Sequence, residues 1–307
     1  MKLYSCVEVY IARKQASGLI YRASGKILWR FAHFVGNVDI ASISEKRIDL
    51  FLSRNAVSNN TWRRYVSYLG KFFIYWFARR QLKHIPRMKQ KPAAKTAFFP
   101  FVYSHSEIRR LLDAIPACVR YPRCYMNAET LRTILLLVYG TGMRIGDILR
   151  LSRSHVDVER KTIHIQNAYP ELSRDIPIGP DIARLLRQYL EKSRRASFSS
   201  GVVLFLTVKG KPVPYAVVGH AFQQLRKLAG VRRLNSSYQP RIHDLRHSFA
   251  VHSIVNWQRE NLSLEKMLPM LAAYMGNVNL ESFERYVELA PTSFQTQLER
   301  LNLSKSS

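Results

Sequence analysis

Four side chains beyond residue 140 of this 307-residue chain have the types and order needed to grip a phosphate and attack it: Arg144, His243, Arg246 and Tyr286. Arg144 sits in TGMRIGDILRL, where two glycines permit a tight turn and the arginine opens a helix. His243 and Arg246 are three apart in RIHDLRHSFA, so a helix places them on one face, and Tyr286 lies in the amphipathic stretch LESFERYVELA. Two arginines can fork onto the non-bridging oxygens of one phosphate, and an imidazole moves a proton near neutral pH. A phenol oxygen can then be the nucleophile. Singly, each residue also has an ordinary structural use: Arg144 can pair with Asp147, His243 can bond backbone before a helix, and Tyr286 can pack beside Phe283. The ordered set is what points to chemistry.

The elements that must position these residues are mostly helical. From Ser104, a capping box with Glu107 opens a second domain, with helical patterns around 106–115 and 127–151. TIHIQ and SRDIPIG then read as two short strands in a hairpin-like pair, and after Pro180 the chain is mostly helical again. Before about residue 82 the pattern is helical throughout. Leu28, Phe31 and Val35 recur at helix spacing, Ser42 and Glu45 read as a capping box, and Asn60 reads as the cap of TWRRYVSYLGKFFIYWFARR. In that long helix Trp62, Tyr65, Val66, Leu69, Phe73 and Trp76 make one apolar stripe for the core. Arg63, Arg64, Lys71 and Arg79 fall largely off it and are candidate nucleic-acid contacts. Residues 83–97, KHIPRMKQKPAAKTA, hold five Lys or Arg, two prolines and no acid, so they read as a basic linker in which Lys89 and Lys91 are further phosphate contacts.

Composition agrees with an anionic partner. Lys plus Arg number 48 against 21 Asp plus Glu, a net charge of +27 that exceeds what solubility needs. The basic residues are spread among aromatics rather than gathered in one amphipathic helix, which favours nucleic acid over a membrane surface. Cys6, Cys118 and Cys124 are an odd number without a CxxC pair, as suits a reducing cytoplasm. The longest apolar runs, FFIYWFA and ILLLVY, are far short of a membrane span, so a soluble, intracellular protein is expected.

Three ordered motifs resemble those of the tyrosine recombinases, the phage-integrase superfamily: TGMRIGDILRL, RIHDLRHSFA and YMGNVNLESFERYVELAP, together covering most of residues 98 to 290. The resemblance implies a mainly α protein with a small β-sheet, built as a two-domain DNA clamp. A helical core-binding domain (1–82) and a basic linker (83–97) would precede a mixed α/β catalytic domain (98–307) with a C-terminal tail helix. It further implies that Arg144 and Arg246 hold the scissile phosphate of double-stranded DNA, that His243 takes the proton of the attacking phenol, and that Tyr286 forms a 3′-phosphotyrosyl bond. No cofactor and no metal is implied, because the covalent link conserves bond energy until a 5′-hydroxyl reverses it. Asp147 and His247 match supporting positions. Arg174, which opens the hairpin's Arg-x-x-Pro ending, is assigned to DNA contact. The family assembles as dimers and tetramers on DNA, so a homo-oligomer is expected, with another recombinase as a further partner. Phe294, Leu298 and Leu301 give the tail a helical face suited to docking on a neighbour or folding back on its own chain.

Two positions depart from the family's pattern. The family carries a general-acid lysine in the hairpin; QNAYPEL has none, and spacing puts Tyr169 nearest to that place, with Lys161, Lys209 and Lys211 as other conceivable donors. Asn277, nine residues before Tyr286, stands where the family has His or Trp. An amide still donates a hydrogen bond to phosphate but carries no proton or charge. Site-specific recombination by a mobile-element integrase or transposase is therefore the expected activity, with a catalytically degenerate, DNA-binding accessory as the alternative.

Overall fold

In the computed structural model of the chain, residues 1–19, 21–54, 57–92, 100–122, 124–166, 173–194, 203–233 and 238–276 are described. Tyr169, Asn277, Tyr286 and the tail from Phe294 to Leu301 lie outside them. The chain divides into two units, Met1–Phe98 and Phe99–Ser307. The architecture is mainly helical with one small sheet, as the periodicity predicts.

The first unit holds α1 (Leu3–Ala16), α2 (Arg22–Val35), α3 (Glu45–Ser53) and α4 (Asn59–Phe77). Their apolar faces meet in a core that includes Leu3, Tyr10, Leu28, Phe31, Leu69, Phe72 and Phe73. Its aromatic rings pack edge to face, with Tyr10 and Phe72 centred 5.4 Å apart and Phe31 and Phe73 6.0 Å apart. Such geometry sets the electropositive ring edge against the electron-rich face. Two expected caps move. Asp39 starts a 3₁₀ turn at Ile40–Ser42 by accepting from the Ala41 N–H, so Ser42 is used there and Ser44 becomes the cap position of α3. Glu45 instead accepts from the Arg87 N–H at 2.8 Å. The cap of α4 is Ser58, whose hydroxyl accepts from the Thr61 N–H; Asn60 is already inside the helix.

The apolar stripe of α4 is buried at Trp62, Val66, Leu69, Phe73 and Trp76, joined by Phe72, with Tyr65 half-buried. Arg63, Arg64, Lys71 and Arg79 are exposed, and the Arg79 guanidinium lies 3.7 Å over the Tyr75 ring. Of the segment read as a linker, residues 83–92 are described and lie against this unit: Met88 packs on its core, and the Trp62 indole N–H donates to the Lys89 carbonyl at 3.0 Å. Lys89 pairs with Asp49 at 3.3 Å and Lys91 sits 4.2 Å over the Trp62 ring. Both cations thus have partners within their own unit.

The second unit opens with α5 (His105–Asp113), and the capping box expected between Ser104 and Glu107 is complete at its start. The short α6 (Ile115–Cys118) leads to α7 (Ala128–Thr141), capped by Asn127 and buried on most of its surface, which packs against α9 and α11. A single helix over 127–151 does not form. Gly142 ends α7 in the left-handed conformation (φ 60°), and the chain restarts as α8 (Ile145–Ile148). A Cβ at position 142 would also overlap the Phe249 ring, so glycine is required there twice over.

The sheet has order β1-β2-β3 and is antiparallel: β1 (Val156–Asp157), which the sequence reading lacks, then β2 (Thr162–Ile165) and β3 (Arg174–Pro177). Ile163 faces Ile176 and Ile165 faces Arg174, all on the inner face; His164 and Asp175 pair on the outer face at 2.7 Å. The unit continues through α9 (Pro180–Arg194), α10 (Tyr215–Leu228), α11 (Asp244–Arg259) and α12 (Leu264–Met275). Among the described residues no helix is long and apolar enough to cross a membrane, and all three cysteines are free thiols.

Candidate active site

Three arginines converge on the C-terminal end of α12. A helix leaves its last carbonyls without intrahelical partners, and α12 turns off at Gly276 in the left-handed conformation (φ 68°), presenting them outward. Arg144 Nη2 donates to the Gly276 oxygen at 2.7 Å. Arg174 donates through Nε to Tyr274 O at 3.3 Å and through Nη2 to Met275 O at 3.2 Å. Arg246 Nη2 donates to the same Met275 oxygen at 2.9 Å, while its Nη1 bonds Gly142 O at the end of α7, 2.5 Å away. Two helix C-termini, each the negative end of a dipole, therefore stabilise a guanidinium that is only 2% exposed.

Local structure explains how each arrives. Arg144 occupies the cap position of α8, delivered by the Gly142 turn. Arg246 is in the first turn of α11. That turn is held by Asp244, itself 2% exposed, which accepts from both the Arg241 N–H and the Arg241 guanidinium at 2.9 Å. Ser248 donates to the Asp244 carbonyl and accepts from the Tyr103 N–H, and the Tyr103 hydroxyl reaches back to Arg241 O. Arg174 comes from the inner face of β3, two residues before the buried Ile176.

His243 is the cap residue of α11, beside this cluster, and its ring stands edge-on to His247, 5.1 Å between centres. Burial lowers the His243 pKa, with Arg246, Arg241 and Arg144 adding to the effect and Asp244 opposing it. That direction favours the neutral, proton-accepting form of the imidazole. His247 is pushed down to about 3, first by burial and then by His243. Arg174 is lowered by burial and by Arg144, against the favourable charge of Asp147.

Other expected roles fall differently. Asp147 bonds Arg150 at 2.6 Å rather than Arg144. His252 stacks on His105, ring centres 4.5 Å apart, and hydrogen-bonds the Tyr139 hydroxyl at 2.9 Å, so the third histidine of RIHDLRHSFAVH serves α5 and α7. Lys161 lies in the β1–β2 turn, with a positive φ of 53°, and Lys209 and Lys211 lie in the turn closed by the Leu206–Pro212 bridge. Arg174, an expected DNA contact, joins Arg144 and Arg246 at the end of α12. The strand alternation contained that signal, since Arg174 shares parity with the inward Ile176 and Ile178.

The fold and this cluster define a two-unit, mainly helical protein whose second unit gathers basic side chains around one point. Residues 102–291 match the phage integrase family, and the chain belongs to it, among the tyrosine recombinases. The chain is 26% identical to the putative integrase/recombinase y4rB of Sinorhizobium fredii, over 96% of this chain and 95% of that protein. It is 22% identical to the tyrosine recombinase XerC of Staphylococcus epidermidis, over 78% of this chain and 74% of that one. Its fold is similar to that of the Tn1549 transposon integrase in complex with a circular intermediate DNA (TM-score 0.65, 15% identity, covering 96% of this chain and 99% of that one). It is also similar to that of the XerH site-specific recombinase in a post-cleavage complex (TM-score 0.62, 21% identity, covering 90% and 78%).

Proposed function

We propose that this protein is an active DNA strand-transfer enzyme, the integrase or transposase of a mobile element. The observation that carries the reading is the meeting of Arg144, Arg246 and His243 in one place in the second unit. In this proposal the two guanidiniums take the non-bridging oxygens of the scissile phosphate and stabilise the charge that gathers there in the transition state. The Tyr286 oxygen attacks phosphorus, His243 accepts the phenolic proton, and the bond to the 5′-oxygen breaks as that oxygen takes a proton from water, leaving a 3′-phosphotyrosyl link and a 5′-hydroxyl. Attack by a partner strand's 5′-hydroxyl then releases the tyrosine. Asn277 donates a hydrogen bond to the phosphate. Exposed Arg63, Arg64, Lys71 and Arg79 hold duplex DNA through its backbone, and the protein acts as an oligomer on paired sites. Relatives support the class of reaction: the XerH neighbour is described bound to palindromic difH DNA after cleavage.

The absence of a lysine from QNAYPEL favours one second reading, a degenerate member that binds DNA beside an active recombinase. Nicked suicide duplexes bearing the element's own ends, followed by denaturing gels, separate the two. A covalent adduct that Tyr286→Phe abolishes is the expected result; tight binding with no adduct, even with a partner recombinase present, rejects the enzyme. Tyr169→Lys raises the cleavage rate if the missing acid limits it, by as much as about 10²-fold.

A further inference from the structure

We propose that Arg174 is a positioning residue: it clamps the C-terminal end of α12 to the hairpin and thereby sets the point from which the segment carrying Asn277 and Tyr286 departs. Four observations meet here. The Arg174 guanidinium spans two successive α12 carbonyls, Tyr274 at 3.3 Å and Met275 at 3.2 Å. From the same helix end, the Tyr274 hydroxyl donates to the Pro177 carbonyl of β3 at 3.1 Å, so strand and helix are tied from both sides. Gly276 has the left-handed φ of 68° and lies directly under the guanidinium, where a Cβ would overlap it. The side chain is half-buried on the inner strand face rather than in solvent, where a DNA-backbone contact belongs.

The consequence is geometric. Position 277 follows Gly276 directly, and the nucleophile is nine residues beyond position 277. A helix end left to fray displaces everything after it, and misplacement of a reacting group by about 1 Å costs on the order of 10²-fold in rate. Arg144 and Arg246 bond the same helix end while also being the proposed phosphate ligands, so the clamp holds the end of α12 against the phosphate site. This inference rests on the strand-transfer reading for its catalytic consequence, but not for the clamp itself.

The test uses the full-length chain with Arg174→Ala and Arg174→Gln. Single-turnover adduct formation at saturating DNA falls about 10- to 100-fold in Arg174→Ala, while the apparent Kd and the slope of log K against log salt stay at wild-type values. Arg174→Gln, which keeps one amide donor and no charge, falls between the two. Hydrogen exchange of the α12 amides approaching Gly276 becomes faster in Arg174→Ala than in wild type, and slower again in Arg174→Gln. A DNA contact would give the reverse pattern: weaker binding, a salt slope shallower by about 0.9, an unchanged saturating rate, and Gln no better than Ala. That pattern, or unchanged exchange, overturns the proposal. If wild type itself forms no adduct, the strand-transfer reading fails while the exchange comparison still decides the clamp.

Discussion

At the scale of single residues, the site depends on how a buried cation and a neighbouring imidazole coexist. Arg246, 2% exposed, has the ends of α7 and α12 as hydrogen-bond acceptors, so helix dipoles support it where burial would otherwise be costly. Burial, and after it the same positive charge, lowers the pKa of His243. Its pKa lies below the ordinary 6.5, so the proton-accepting form persists to lower pH than for a free imidazole. The acid limb of single-turnover adduct formation should therefore be half-complete below pH 6.5. A limb centred above that value, lost in His243→Gln, would show that the imidazole is not disfavoured as a cation there.

At the scale of elements, turns and helix ends do the placing. Gly142 stops α7 in the left-handed conformation under the Phe249 ring, and the reversal that follows delivers Arg144. Gly142→Ala meets both an unfavourable φ and an overlap with Phe249, and should destabilise the protein by about 1–3 kcal/mol. A urea unfolding midpoint unchanged from wild type would mean that the turn relaxes freely. Much at this scale was legible in sequence: the Ser104–Glu107 box, the α4 stripe and the β2–β3 pair all appear at or near their expected places. The caps of α3 and α4 were not, because several adjacent Ser, Asn and Asp residues compete there, and Asp39 takes the 3₁₀ turn that frees Ser44 and Glu45 for other uses.

At the scale of the whole molecule, a net charge of +27 should make DNA affinity strongly dependent on salt. If roughly six to ten phosphates are neutralised, log K falls against log salt with a slope between about −5 and −9, and affinity drops about 10³- to 10⁵-fold from 50 to 200 mM salt. Fluorescence anisotropy with a labelled duplex checks this; a slope shallower than about −3 would mean that most of the charge serves something other than DNA. The double change Arg63→Ala with Arg64→Ala should make the slope shallower by about 2, since both are exposed on α4. Lys89 and Lys91, already occupied by Asp49 and the Trp62 ring, should contribute less.

The sequence by itself determined the helical class, the basic character and the family, and it supplied Arg144, His243, Arg246 and Tyr286 as ordered candidates, because periodicity and short motifs are local properties of the chain. Tertiary structure alone decided what the side chains touch. Asp147 goes to Arg150, His252 to His105 and Tyr139, and Arg174, an expected DNA contact, becomes a third guanidinium at the end of α12. That last change has a simple physical origin. Carbonyls at a helix terminus need donors, and which arginines supply them depends on which residues, far apart in sequence, the packing of α7, α11, α12 and β3 brings together.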